Sequence, residues 1–180
     1  MEKRTIRYIT PDGFDNLLLS SDGEGLTCLG FEGSHDDVRR KRFSSVETIC
    51  SSSLPSVLKD TCRWLDIYFS GHQPDFTPAY RMEGLTPFRR EVMEILNGIP
   101  FGKTLTYGKI ADMIAKEHGL PRMSAQAVGG AVGWNPIGII VPCHRVVGAN
   151  GDLTGYGGGM KNKIALLRLE GHEMKNYVFL

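Results

Sequence analysis

Apolar and polar positions alternate at the start of the chain, then give way to helical spacing. From Thr5 to Thr10, Ile6 and Tyr8 fall on one face of an extended segment. Pro11-Asp12-Gly13 supplies turn chemistry, and Phe14 to Ser20 resumes an apolar run. A second turn, Ser21 to Gly25, leads into Leu26 to Phe31, a third strand that carries Cys28. The pattern predicts a three-stranded antiparallel meander with Cys28 in its core. Gly33 to Ser53 is polar and basic, with Arg39-Arg40-Lys41-Arg42 as its densest run, and reads as a solvated loop. After Ser53, a good N-cap, Leu54, Leu58, Leu65 and Phe69 form one helical stripe, with Gly71 as the stop. This helix is expected to cover the meander, with Cys62 in the core and Cys50 as a loop thiol.

The periodicity lapses between Gly71 and Gly84, where Pro74 and Pro78 interrupt the chain, and this stretch is the expected domain boundary. It divides the sequence into an N-terminal α/β domain, 1–84, and a second domain, 85–180. Thr86-Pro87 starts the second: a capping threonine followed by proline at the first helical position. Phe88, Val92, Ile95 and Leu96 then mark one face as far as Asn97-Gly98.

Two short helices follow. Thr106 caps the first, whose Ile110, Met113 and Ile114 are expected to face inward until Gly119. After Leu120-Pro121-Arg122-Met123, Ser124 caps the second, which runs to about Gly133. Two helices joined in this way suggest a helix-turn-helix, although helical hairpins that do not bind DNA are commoner. The second helix is almost without side chains, since Ala125, Ala127, Gly129, Gly130, Ala131 and Gly133 make up most of it. Each interior glycine costs up to ~1 kcal/mol relative to alanine. Such a run requires a compensating reason, and close backbone approach to a neighbouring helix or a groove of DNA supplies one.

Ile137 to Val141 is long enough for a buried strand and delivers Pro142-Cys143-His144-Arg145 at its end. Val146-Val147, the turn Gly148 to Gly151 and the glycine-rich loop Gly155-Tyr156-Gly157-Gly158-Gly159 come next. The loop lacks the Lys-Ser/Thr ending of a phosphate-binding loop. A last helix places Met160, Ile164 and Leu167 on one face and ends at Glu170-Gly171. A carboxylate in the last turn opposes the helix dipole. Glu170 is therefore either exposed or matched by a cationic or hydrogen-bonding partner.

The 180 residues carry 21 Lys and Arg against 20 Asp and Glu, a net charge of +1 that gives no bulk electrostatic case for a nucleic-acid or membrane partner. No segment approaches the length that spans a bilayer, and no apolar core follows Met1-Glu2-Lys3-Arg4, so a cytoplasmic protein without a signal peptide is expected. Cys28, Cys50, Cys62 and Cys143 form no C-x-x-C pair; free thiols are expected, and neither a metal site nor a disulfide framework is signalled.

The chemistry concentrates at Cys143. A buried small hydrophobe is the commonest fate of a free cysteine. Here the neighbours argue for reactivity, because Pro142 interrupts strand pairing and His144 and Arg145 are expensive to bury unpaired. A thiol of pKa ~8.5 is only a few per cent ionised near neutrality and needs a base or a positive field. His144 can supply the base through a sharp turn or an intervening water, and Glu170 could orient the imidazole in a Cys-His-Glu relay. The residues alone leave the substrate open.

Pro142-Cys143-His144-Arg145-Val146, with Asn135-Pro136 before it and Gly155-Tyr156 and Leu166-Leu167-Arg168-Leu169-Glu170-Gly171 after it, resembles the signature of the O6-alkylguanine-DNA alkyltransferases. These are also called methylated-DNA-protein-cysteine methyltransferases. The resemblance covers roughly Thr86 to Gly171 and implies an α+β protein: a small antiparallel sheet with a covering helix, then a mainly helical, winged helix-turn-helix-like domain. It further implies a DNA repair protein that binds duplex DNA by the minor groove and rotates an O6-alkylguanine out of the stack. The alkyl group passes irreversibly to its own cysteine, once per molecule. On this resemblance Cys143 is the nucleophile, His144 the base acting through water, Glu170 the group that orients it, and Asn135 the residue that holds the active-site turn. Tyr107 crowds the phosphate of the rotated nucleotide and donates a proton toward the leaving guanine. Backbone carbonyls of Cys143 and Val146, with Tyr156, Gly157 and Gly158, line the base pocket, while Gln126 and Ala127 contact DNA. No cofactor, metal or membrane is implied, and a monomer is expected.

One position departs from the family. Many relatives place an arginine immediately before the Ala-Val-Gly-Gly segment, where it fills the space of the rotated base; this chain has Gln126. Glutamine keeps hydrogen-bonding capacity but lacks the charge and planar fork. Arg122, one turn earlier, is an alternative. Competing classes are a recognition module that binds alkylated DNA without transfer, whose members lack the cysteine, a thiol hydrolase using Cys143 and His144, and a plain helix-turn-helix regulator.

Overall fold

The computed structural model describes residues 3–35, 46–47 and 54–178. Three strands, β1 (Arg4–Tyr8), β2 (Leu17–Ser21) and β3 (Leu26–Phe31), form the antiparallel meander expected from the alternation. All five residues of β2 are buried, as befits a strand with neighbours on both edges. The sheet has a fourth member. β4 (Val46–Glu47) pairs parallel to β1, giving the order β3-β2-β1-β4. It falls inside the stretch read as loop, and two residues are too few to leave a periodic signal. The arginine run 39–42, Cys50 and Ser53 lie outside the described residues.

Helix α1 (Ser56–Phe69) packs over the sheet, with Leu58 and Leu65 buried. Its N-cap is Pro55, which makes no side-chain capping bond. Cys28 is buried as expected, but Cys62 is only partly so and packs at the edge of the core. Gly71, just beyond the helix, has φ +84°, a conformation glycine adopts without the clash a Cβ would bring.

Helix α2 (Pro87–Asn97) begins as the sequence predicts, with the Thr86 hydroxyl accepting from the Arg89 N–H at 3.3 Å. Helices α3 (Tyr107–Glu117) and α4 (Ala125–Val132) are capped in the same way, by Thr106 at 3.1 Å and Ser124 at 3.3 Å. The inward face of α3 is corrected in one place. Met113 is exposed, and Ala111 and Ala115 join Ile110 and Ile114 in the core. At 100° per residue Met113 lies off the centre of that stripe. The strand β5 (Leu105–Thr106) pairs parallel with β6 (Val146–Val147), which ties the start of α3 to the segment after Cys143. Helix α5 (Met160–Leu169) ends at Glu170.

The apolar run Ile137 to Val141 is buried but is not a strand. Only Ile137 bridges to Leu29 of β3, and the backbone then folds through successive tight turns, with Ile140 N–H donating to Gly138 O and Val141 N–H to Ile137 O. Ile139 has φ +67°, rare for a β-branched residue. A Cβ on Gly138 would lie 3.1 Å from the carbonyl oxygen of Leu29, so close approach to β3 favours glycine. Apolar burial looks the same in sequence whether the backbone is extended or turned. One apolar cluster runs from Ile6 of β1 through α1, α2 and α3 to Leu166 of α5, joining the two sequence halves.

Candidate active site

The turns after Ile137 end in a short 3-10 turn, Cys143–Arg145, whose three residues are all buried. Asn135 organises this segment. Its Oδ1 accepts from Ile137 N–H at 3.0 Å, and its Nδ2 donates to Val141 O at 2.8 Å and lies 3.1 Å from Cys143 Sγ. One amide thereby closes the loop and touches the thiol, holding strained backbone in place.

His144 is fully enclosed, and its Nε2 meets Glu170 Oε1 at 2.8 Å. Arg145 approaches the same carboxylate, with Nε 2.9 Å from Oε2 and Nη2 2.9 Å from Oε1, and its Nη1 donates to Ile99 O at 2.6 Å. Gly102 N–H adds a bond to Oε2 at 3.1 Å, and the Tyr68 hydroxyl donates to Oε1 at 2.7 Å. Burial alone would raise the Glu170 pKa, but hydrogen bonds from His144 and Arg145 and the Arg145 charge outweigh that and hold the carboxyl well below the usual range. Glu170 is thus the matched case of the two the sequence left open.

An ionised carboxylate only accepts, so His144 Nε2 carries the hydrogen and donates it. The lone pair then lies on Nδ1, which is buried and has no hydrogen-bond partner among the described residues. Burial pushes the His144 pKa down; Glu170 pulls it up, and Arg145 and Lys163 oppose the charged form. The imidazole is neutral at pH 7.

Lys163 of α5 has no counterpart in the sequence reading. Fully buried, it donates from Nζ to Val146 O at 2.7 Å and to Thr154 O at 3.1 Å, and burial brings its pKa down to about 8. It pins both edges of the segment between β6 and the glycine loop. Helical spacing had marked Met160, Ile164 and Leu167 as the inner face, whereas Asn162, Lys163, Leu166 and Leu167 are the buried positions. A lysine weighs against burial in any hydrophobic pattern unless its carbonyl partners are known.

Tyr107 starts α3 and donates to Gly155 O at 3.2 Å; burial and nearby Cys143 push its pKa up to about 12, so the phenol keeps its proton. Cys143, Asn135, Ile139, Gly155, Tyr156, Gly157 and Gly158 line a cavity of about 40 Å³, together with Val132 and Gly133 at the end of α4 and residues of β3 including Cys28 and Phe31. Tyr156 lies across Gly158, where a Cβ would come within 2.6 Å of its ring. Val146 is buried but is not among the residues that line the cavity, and its carbonyl accepts from Lys163 Nζ at 2.7 Å.

Gln126 and Ala127 are exposed on α4, apart from the cavity lining, and Arg122 is exposed before it. On the same helix Gly130 is exposed, and among the described residues a Cβ there would meet nothing beyond the helix's own backbone within 4 Å. At Gly129 a Cβ would make only ordinary contact, 3.9 Å from the Tyr107 ring. The protein's own packing therefore does not require glycine at 130. Among the described residues, no group of three or more His, Cys, Asp or Glu is placed to hold a metal ion, and no helix is long and apolar enough to cross a membrane.

Comparison with known proteins places this geometry in context. The sequence profile described as "6-O-methylguanine DNA methyltransferase, DNA binding domain" matches residues 87–172. A methylated-DNA–protein-cysteine methyltransferase of Mycobacterium bovis is 48% identical over 116 residues, 64% of this chain and 67% of that protein. One from Methanosarcina acetivorans is 41% identical over 155 residues, 86% of this chain and 91% of its own length. The crystal structure of Mycobacterium tuberculosis O6-methylguanine methyltransferase superposes with a TM-score of 0.72 at 37% identity, covering 94% of this chain and 93% of that one. A structure described as Mycobacterium tuberculosis OGT in complex with DNA gives a TM-score of 0.72 at 35% identity, covering 97% and 94%.

Proposed function

Because the chain belongs to the O6-methylguanine-DNA methyltransferase family, whose relatives above are named methylated-DNA–protein-cysteine methyltransferases, we propose that it removes alkyl groups from O6-alkylguanine in duplex DNA and keeps them on Cys143. The helical pair α3 and α4 approaches the minor groove, the damaged nucleotide rotates out, and its base enters the cavity beside Cys143. A cavity of about 40 Å³ holds a few waters rather than a purine, so the Gly155–Gly159 loop and Tyr156 shift as the base enters.

The proposed chemistry is one displacement. The thiol proton leaves for His144 Nδ1 through a bridging water, and Glu170 stabilises the imidazolium that results. Cys143 Sγ attacks the alkyl carbon; the S–C bond forms as the C–O bond breaks, and its electron pair goes to guanine O6. Tyr107 donates a proton to the leaving guanine and recovers one from the relay, so charge balances. Asn135 holds the thiol on its turn. The carbonyls of Cys143 and Val146 receive base N–H groups, aided by Tyr156, Gly157 and Gly158, while Gln126 and Ala127 contact the duplex. The thioether is not cleaved again, so each molecule acts once and as a monomer. In this reading residues 85–180 carry the chemistry, and 1–84 form the domain that backs them.

The observation that carries the reading is the set of contacts around one turn: Sγ beside the Asn135 amide, and next to it a neutral imidazole whose Nε2 is tied to an ionised carboxylate while Nδ1 stays open. Mass spectrometry after incubation with an oligonucleotide carrying O6-methylguanine tests it. A single methyl on Cys143, abolished by Cys143→Ser, is the expected result. Unmodified protein that still binds the oligonucleotide would point instead to a recognition module.

A further inference from the structure

The helix of the N-terminal half reaches the catalytic relay through Tyr68, near the end of α1. This tyrosine is fully buried, and its ring is stacked on Trp64 at 5.3 Å between centroids and packed edge-on against Phe101 at 5.9 Å and His144 at 6.4 Å. Its hydroxyl lies 2.7 Å from Glu170 Oε1 and 3.3 Å from His144 Nε2. Glu170 only accepts, so the phenol and Nε2–H both donate to the same oxygen. The 3.3 Å approach of Tyr68 to Nε2 is then the meeting of two donors on a shared acceptor, not a bond between them.

Sharing has a chemical consequence. When the imidazole takes a proton, its bond to Oε1 strengthens with the negative charge available there. A phenol on the same oxygen draws on that charge and limits how basic His144 becomes. It also fixes Oε1 through a ring whose position is set by α1.

We infer that Tyr68 is a positioning residue for the transfer reaction, holding Glu170 Oε1 against His144 Nε2 from the N-terminal domain and moderating the basicity of the imidazole. This rests on the Cys143-His144-Glu170 reading proposed above. Other charged and titratable groups face the pair. Arg145 bonds both carboxylate oxygens; Lys163 of α5 acts on the imidazole; Tyr156 acts on Tyr68 from the glycine loop, and His172 senses Glu170 from beyond α5. All of these stay in place when only the Tyr68 hydroxyl is removed.

Tyr68→Phe keeps the ring and its stacking and deletes the donor. Titration of ¹⁵N-labelled histidine by NMR, on unreacted protein without DNA, reads the base directly. The His144 pKa is expected to rise by roughly half to one unit. The acid limb of the methyl-transfer rate should move to higher pH by the same amount, and the rate at pH 7 should fall by roughly threefold at most. Duplex binding and the circular dichroism spectrum should match the wild type. An unmoved pKa and acid limb, or a loss uniform across pH that tracks a lower melting temperature, overturns the role and leaves Tyr68 as packing. If the wild type itself takes no methyl on Cys143, the proposed function fails and the role in transfer falls with it. If the wild type transfers and Tyr68→Phe is indistinguishable, only the inference fails.

Discussion

Asn135 Nδ2 stands 3.1 Å from Cys143 Sγ, eight residues on, while the same side chain bonds Ile137 N–H and Val141 O. The thiol is thereby attached to the residue that closes the turn leading to it. Asn135→Ala leaves those buried backbone groups unpaired and should cost about 2–4 kcal/mol of stability in denaturant titration. Methyl transfer should fall by roughly 10²-fold or more, because the strained backbone at Ile139 relaxes and Sγ loses its place.

Acid should destabilise the fold in two steps. His144 is buried and neutral, with its pKa below the unfolded value of 6.5, so the unfolded chain takes up a proton that the folded one refuses. Stability present above pH 6.5 is lost as pH falls from there toward the folded value. Glu170, held below its unfolded 4.5, adds a second loss as pH falls below 4.5. Unfolding free energies measured from pH 7.5 to 3.5 should show both. In Glu170→Gln the lower step disappears, and the variant starts about 3–5 kcal/mol less stable because Arg145 loses its counter-charge.

Gly130 separates the stability of α4 from its proposed interaction with DNA. Among the described residues, nothing beyond the helix's own backbone lies within 4 Å of a Cβ there. Gly130→Ala should therefore raise stability by up to ~1 kcal/mol, seen as a higher melting temperature. Gly130→Leu should fold normally yet bind duplex DNA roughly tenfold or more weakly, while its reaction with free O6-alkylguanine base is unchanged. Normal duplex affinity in Gly130→Leu would place the DNA contact elsewhere.

Gln126 is exposed on the same helix. Gln126→Arg should increase the transfer rate on duplex DNA by roughly threefold to tenfold, through a charged planar group that occupies the space of the rotated base. The rate with free O6-alkylguanine should stay as it is. Equal acceleration of both substrates would show that the residue acts on the chemistry and not on the flipped state.

Much of the helical half was legible because its signals are local. Thr86 with Pro87, Thr106 and Ser124 each cap a helix through a bond three residues away, and such spacing is visible in sequence. The small-residue character of α4 and the grouping of Cys143, His144 and Arg145 are equally local. Several readings went wrong where one pattern fits two structures. A buried apolar run served as a turn over Ile137 to Val141, and Met113, at the margin of a stripe, faced outward.

The sequence by itself determined which residues could react and where helices start, since capping, side-chain chemistry and short-range periodicity act within a few positions. Tertiary structure alone decided who partners whom. Glu170 meets Arg145 across about one helix and a loop, Tyr68 reaches Glu170 from 102 residues away, and Lys163 finds the carbonyls of Val146 and Thr154. None of these pairs has a spacing rule. Each exists because a buried charge is tolerated only where the fold brings opposite charges or donors and acceptors to meet it.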